Sequence, residues 1–132
     1  MSPGEFVLAF HLPKRPSRSA DAYLRFIPRT EMDIAVVGAA VSLTLDADGL
    51  CADARVVLGA VAPTAILVPE AAVALVGRKL DEASLAGLDQ AAQRACKPID
   101  DKRGTIEYRT KVAGVLARRT ATIAYERAGE AR

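Results

Sequence analysis

Val37-Gly38-Ala39-Ala40-Val41-Ser42-Leu43-Thr44-Leu45 carries apolar residues at Val37, Ala39, Val41, Leu43 and Leu45, with Ser42 and Thr44 between them. A period of two puts one face of an extended chain toward a core, so this stretch predicts a strand. Asp46-Ala47-Asp48-Gly49 follows, with glycine where a tight connection wants a positive φ. Leu50 to Ala60 then resumes the alternation, with Leu50, Ala52, Ala54, Val56 and Leu58 on one face. Two such runs joined by so short a link predict an antiparallel hairpin.

Upstream, Glu5 to Leu12 (EFVLAFHL) reads as a further strand, rich in Phe and Val and closed by Pro13. Pro13 to Ala20 is a polar, proline-broken loop, and Asp21 to Phe26 predicts one short helical turn limited by Pro28. Downstream, Pro69 to Val76 predicts a helix with proline in its first turn and Gly77 beyond its end. Asp81 is placed to cap a second helix running to about Cys96, with Leu85, Leu88, Ala92 and Ala95 at helical spacing. Thr105 to about Arg127 predicts a third, with Tyr108, Val112, Val115, Leu116 and Ile123 near one face and Arg109, Lys111, Arg118 and Arg119 elsewhere. Strands first and helices later specify an α+β fold: an antiparallel three- to four-stranded sheet under a layer of three helices.

The totals agree with one domain, residues 1–132. At 132 residues and 51% hydrophobic, the chain is long and apolar enough for a core built of Val, Leu, Ile and Ala. A net charge of +2, from 18 basic and 16 acidic residues, argues for neither nucleic acid nor an anionic membrane as partner. The basic clusters Lys14/Arg15/Arg18, Lys102/Arg103 and Arg118/Arg119 lack interleaved aromatics and read as surface charge. Cys51 and Cys96 lie far apart outside any metal-binding spacing, as expected of reduced structural thiols in a cytoplasmic protein. The apolar stretch Ile34 to Leu45 is too short to span a bilayer.

Residues able to do chemistry are few. His11 is the single histidine and has no nucleophile or carboxylate near it in sequence. Metalloprotease, hydrolase, nucleotide-triphosphatase and dinucleotide motifs are all missing from the chain. Asp100 and Asp101 are better suited to capping the last helix than to acid–base work. Tyr23, Arg25, Arg29 and Asp33 form a polar group ahead of the hairpin, where a spacing of four suits an Arg29–Asp33 ion pair fixing a turn. The chain is therefore not expected to be a catalyst by itself.

Four stretches carry a family resemblance, and they occur in register along nearly the whole chain. Tyr23 to Ala35 has an aromatic residue, a basic residue, then Arg29 and Asp33-Ile34-Ala35 leading into an Ala/Val-rich strand. Gly4-Glu5 with its following run and Pro13, Leu58-Gly59-Ala60-Val61-Ala62-Pro63, and Asp101 to Arg109 with Leu116 and Arg118-Arg119 complete the set. Together they resemble the C-terminal domain of the FAD-binding (medium) subunit of carbon monoxide dehydrogenase/xanthine dehydrogenase molybdenum hydroxylases. The resemblance implies a layered α+β domain in an electron-transfer flavoprotein, with FAD as cofactor of the whole subunit. Its implied partners are the preceding FAD-binding domains, which the chain lacks, and molybdenum and iron–sulfur subunits. It also implies that Arg25, the basic residue after the aromatic, contributes an isoalloxazine-end contact. Arg29, Asp33, Asp101, Tyr108 and Arg109 match motif positions where capping, ion pairing and docking are the expected roles. The alternative is a stand-alone interaction module of the same fold that binds no flavin.

Overall fold

A computed structural model describes residues 1–29 and 33–131. The predicted hairpin is its centre: β2 (Val37–Leu45) pairs antiparallel with β3 (Cys51–Gly59). Gly49 has φ +79°, and Asp46 accepts the Leu50 N–H at 2.8 Å to close the link. Register shifts between Thr44 and Leu45, so Cys51 rather than Leu50 or Ala52 turns inward. Ala52 is exposed, whereas Cys51, Ala54, Val56 and Leu58 are buried.

Two upstream expectations fail. Residues 21–26 are not helical but belong to β1 (Ser19–Phe26), antiparallel to β2. The reason is an alternation of Ala20, Ala22, Leu24 and Phe26 inward with Asp21, Tyr23 and Arg25 outward, which a helix would scatter around its axis. Residues 5–12 form no strand. They make an arm without regular structure in which Phe6, Leu8, Phe10 and Leu12 are 79–91% exposed, because no strand of the domain pairs with them. A two-residue β4 (Ile66–Leu67) completes a four-stranded sheet in the order β1-β2-β3-β4.

The helices cover one face. α1 (Pro69–Val73) begins at the expected proline and is followed by turns to Gly77, which has φ +77°. α2 (Glu82–Ala95) starts on a reciprocal cap: Asp81 accepts the Ser84 N–H at 2.7 Å, and the Ser84 hydroxyl accepts the Asp81 N–H at 2.9 Å. α3 (Ile106–Glu130) packs on β1 and β2 and against α2. Its buried face is alanine (Ala113, Ala117, Ala121, Ala124, Ala128) with Gly114, Leu116 and Thr120, whereas Tyr108 and Val115 are 45% and 39% exposed. Small side chains let the helix lie close to the sheet. Under its start the charged Arg109 is buried, at 3% exposure.

Candidate functional site

The residues singled out from sequence gather at one end of the sheet, in two groups on different surfaces. The first is a buried-to-exposed run of alternating charges. Arg29 donates to Asp33 (3.2 Å), the expected pair, and Arg103 donates to the other oxygen of Asp33 (3.5 Å). Arg103 also approaches Asp101 (3.7 Å), and Asp101 accepts from Arg109 (2.6 Å). The loop before β2, the turn at 101–104 and the first turn of α3 are thereby laced together. Residues 30–32, part of the resembling Tyr23 to Ala35 stretch, lie outside the described residues.

Arg109 holds the inner end of that run. Beyond Asp101 it donates to the carbonyls of Val36 (2.9 Å) and Gly104 (3.3 Å), so the buried guanidinium has three acceptors from two segments, the loop before β2 and the 101–104 turn. The 101–104 turn is itself closed by paired backbone bonds between Asp101 and Gly104 (3.1 and 3.2 Å). The Arg103 N–H, then Arg109, hold the Asp101 carboxyl below the ordinary carboxylate range. Burial pushes Asp33 up, but the bonds from Arg29 and the Ile34 N–H outweigh it and leave that carboxyl lowered as well. Asp100 does cap, accepting the Ile106 N–H, and Thr105 accepts the Tyr108 N–H at 3.1 Å. Tyr108 meets Phe26 edge-on, with centroids 6.4 Å apart.

The second group lies on the sheet face that the helices leave uncovered. Arg25 stands opposite Gly38, and Gly38 opposite Gly59, so one row of this face holds a single side chain. Tyr23, Ala40, Val57 and Leu67 make the next row. The Tyr23 ring reaches over Gly38, where an added Cβ would sit 3.0 Å from its hydroxyl. Arg25 is exposed, and among the described residues no carboxylate lies within ion-pair distance of it. The row runs into the turn at Ala60, whose φ of +61° is rare for a residue with a side chain. That turn rims a pocket of about 260 Å³ lined by Ile34, Ala60, Pro63, Lys97 and Ile99 among others. Its volume falls short of the roughly 300–1,000 Å³ of ordinary ligand pockets.

The remaining candidates have structural places. His11 lies exposed in the arm. Arg15 pairs with Asp21 and Arg118 with Glu82, so members of the basic clusters are matched by acids. Burial pushes the Cys51 and Cys96 thiols up to about 11. Among the described residues no group of His, Cys, Asp or Glu is placed to hold a metal ion, and no helix is long and apolar enough to cross a membrane.

Residues 22–124 match the family described as CO dehydrogenase flavoprotein C-terminal domain. The chain is 38% identical over 128 residues to the carbon monoxide dehydrogenase medium chain of Afipia carboxidovorans, covering 97% of this chain and 44% of that one. It is 32% identical over 126 residues to the 6-hydroxypseudooxynicotine dehydrogenase complex subunit alpha of Paenarthrobacter nicotinovorans, covering 96% and 42%. It therefore spans less than half the length of either relative. The reconstituted CO dehydrogenase of Oligotropha carboxidovorans superposes with a TM-score of 0.81 at 38% identity, covering 88% of this chain and 40% of that one.

Proposed function

Because the chain belongs to the family of CO dehydrogenase flavoprotein C-terminal domains, we propose that it serves as the docking domain of an FAD-containing electron-transfer subunit. In this reading it assembles with FAD-binding domains and with molybdenum and iron–sulfur subunits, and the chemistry is theirs. Arg25 meets the carbonyl edge of the isoalloxazine ring, where a positive charge favours the electron-rich reduced flavin.

The observation that carries this reading is the exposed Arg25 on a face the helices leave uncovered, with no ion-pair partner among the described residues and in a row with Gly38 and Gly59. A flat ring has open room over Gly59, bordered by the Tyr23 ring that lies over Gly38. The fit extends to one end of the cofactor only. A pyrophosphate wants free N–H groups at a helix start, but Asp81 takes the Ser84 N–H of α2, and Asp100 and Thr105 take the Ile106 and Tyr108 N–H groups of α3. In this reading another polypeptide segment holds the phosphates. FAD, when held there, supplies the electron relay between substrate oxidation and an acceptor; this chain supplies charge and position. The occupied helix starts equally suit the second reading, an interaction module of the same fold that binds no flavin.

The test is reconstitution of the chain with a flavin-loaded FAD-binding portion of a relative. Arg25→Ala is expected to lower the flavin midpoint potential by roughly 30 mV, about 1.4 kcal/mol for a two-electron couple. An unchanged potential and flavin spectrum in an intact assembly would refute the contact and favour the module.

A further inference from the structure

The arm ahead of β1 holds the largest group of exposed apolar side chains in the molecule. Phe6, Leu8, Phe10 and Leu12 are exposed by 79%, 88%, 84% and 91%, and Val7 by 52%. Scattered exposed apolar residues need no explanation, but four large ones at every second position in seven residues do. In an extended chain all four fall on one side, with Glu5, Val7, Ala9 and His11 on the other. That is the pattern of a strand with one buried face, in a segment that has neither a strand neighbour nor a face to cover.

The domain's own sheet does not offer a berth. β2 is paired on both sides; beyond β3, β4 pairs with Val57 and Leu58, and backbone bonds join Val56 to Val68 and Cys51 to Gly77 and Arg78, so the open part of that edge, residues 52–55, is too short for the arm. At the open edge of β1, the Asp21 carbonyl already accepts from Arg127 (3.0 Å), and the Arg15–Asp21 ion pair lies across the path of a returning strand. The sequence match to the carbon monoxide dehydrogenase medium chain covers 97% of this chain, yet the superposition on a CO dehydrogenase covers only 88%. About 9% of the chain, 97% less 88%, is therefore matched in sequence without being covered by the superposition. More than half of each relative's length lies outside the matched part, and that remainder is where a receiving surface has room to exist.

We infer that residues 5–12 are a strand awaiting a sheet: they add to a free strand edge, backed by an apolar layer, on the flavin-binding portion of the subunit. Main-chain hydrogen bonds provide the attachment, and the alternate side chains Phe6, Leu8, Phe10 and Leu12 fill the apolar layer and set the register. Pro13 ends the strand, and the polar run to Arg18 is the tether to β1. This rests on the proposed role in a flavoprotein subunit but not on Arg25, since arm and sheet face are separate surfaces.

The experiment mixes the full chain with the portion of the Afipia carboxidovorans medium chain that precedes the matched part, loaded with FAD. Amide hydrogen exchange and binding are then measured. In the chain alone, residues 6–12 should exchange at unprotected rates at every concentration; mixing should protect them by at least 100-fold. Phe10→Asp with Leu8→Asp should weaken binding by roughly 100-fold, as for the loss of a buried interface anchor, while the thermal midpoint of the domain stays unchanged. Binding with an unprotected arm, or binding indifferent to the two aspartates, overturns the inference. Protection that grows with the concentration of the chain alone also overturns it, because the berth is then a second copy. An arm protected on mixing, with a flavin potential indifferent to Arg25→Ala, supports the arm and refutes only the flavin contact.

Discussion

Arg109→Met is the substitution with the most specific expected outcome. Methionine keeps most of the buried stem and removes all three donations, to Val36 (2.9 Å), Gly104 (3.3 Å) and Asp101 (2.6 Å). The Val36 carbonyl belongs to a residue with no exposure, and stranding it costs about 1–3 kcal/mol. Losing the Gly104 bond adds about 1 kcal/mol. Asp101 adds little: its side chain is 29% exposed, keeps the Arg103 N–H and regains water. The expected loss is about 3 kcal/mol, or roughly 10 °C in thermal midpoint for a domain of this size. Arg109→Lys, with one compact ammonium in place of a fork, should lose about half as much. Urea titration with a shared slope and calorimetry measure both variants. If Arg109→Met unfolds within about 0.5 kcal/mol of the parent, a range ordinary for surface changes, the buried-staple reasoning is wrong. A lysine variant as weak as the methionine variant would refute the role of the forked geometry.

Three further outcomes are expected. A Cβ on Gly114 would stand 1.9 Å from Asp89 Oδ1, so Gly114→Ala should destabilise the parent yet stabilise the Asp89→Ala background by about 1 kcal/mol through helix propensity; calorimetry of the four-member cycle decides. Ala60→Gly, at φ +61°, should raise the thermal midpoint by removing a left-handed strain of about 1–2 kcal/mol, less the entropy cost of glycine. Asp33, Asp81 and Asp101 have folded values lowered from 3.8, so the stability they contribute is present above pH 3.8 and lost as pH falls through the folded values. The thiols work at the other end: raised from 9.0 to about 11, they contribute stability that is present below pH 9.0 and lost toward pH 11. A midpoint-against-pH curve flat between these limits is expected, with Ellman's reagent reaching the buried Cys51 at pH 7 only when the protein unfolds and the half-buried Cys96 sooner.

What was legible in the sequence follows from what periodicity reports. The hairpin was plain because alternation, short link and glycine agree on one structure, and the Asp81 cap because its carboxylate is three residues from the N–H it accepts. β1 carries the same alternation at Ala20, Ala22, Leu24 and Phe26, but two small residues and a following proline make it weak, and the segment resembles a helical turn as much as a strand. The arm shows the converse limit. Its alternation is as clear as that of β2, yet periodicity says which side chains share a face and nothing about whether a neighbour exists. In α3 the large residues Tyr108 and Val115 suggested the wrong face, because close packing on the sheet selects small volume rather than high hydrophobicity.

Arg25 and Arg109 show where sequence reading stops and the fold decides. Both are arginines in motif stretches, beside an aromatic residue in the sequence. Arg109 projects from the side of α3 that the sheet covers, and a buried guanidinium must find acceptors, so backbone carbonyls and Asp101 surround it. Arg25 occupies an outward position of β1 opposite Gly38, where its side chain is exposed. Removing Arg109 therefore changes stability. Removing Arg25 should leave the thermal midpoint of the chain within about 0.5 kcal/mol equivalents of the parent. The two variants separate fold from function: an effect of Arg25→Ala seen only in the assembled, flavin-loaded state has no source in the domain itself. An effect on the isolated chain would mean that the uncovered face holds a contact of its own, and the flat approach proposed for the flavin ring would be lost with it.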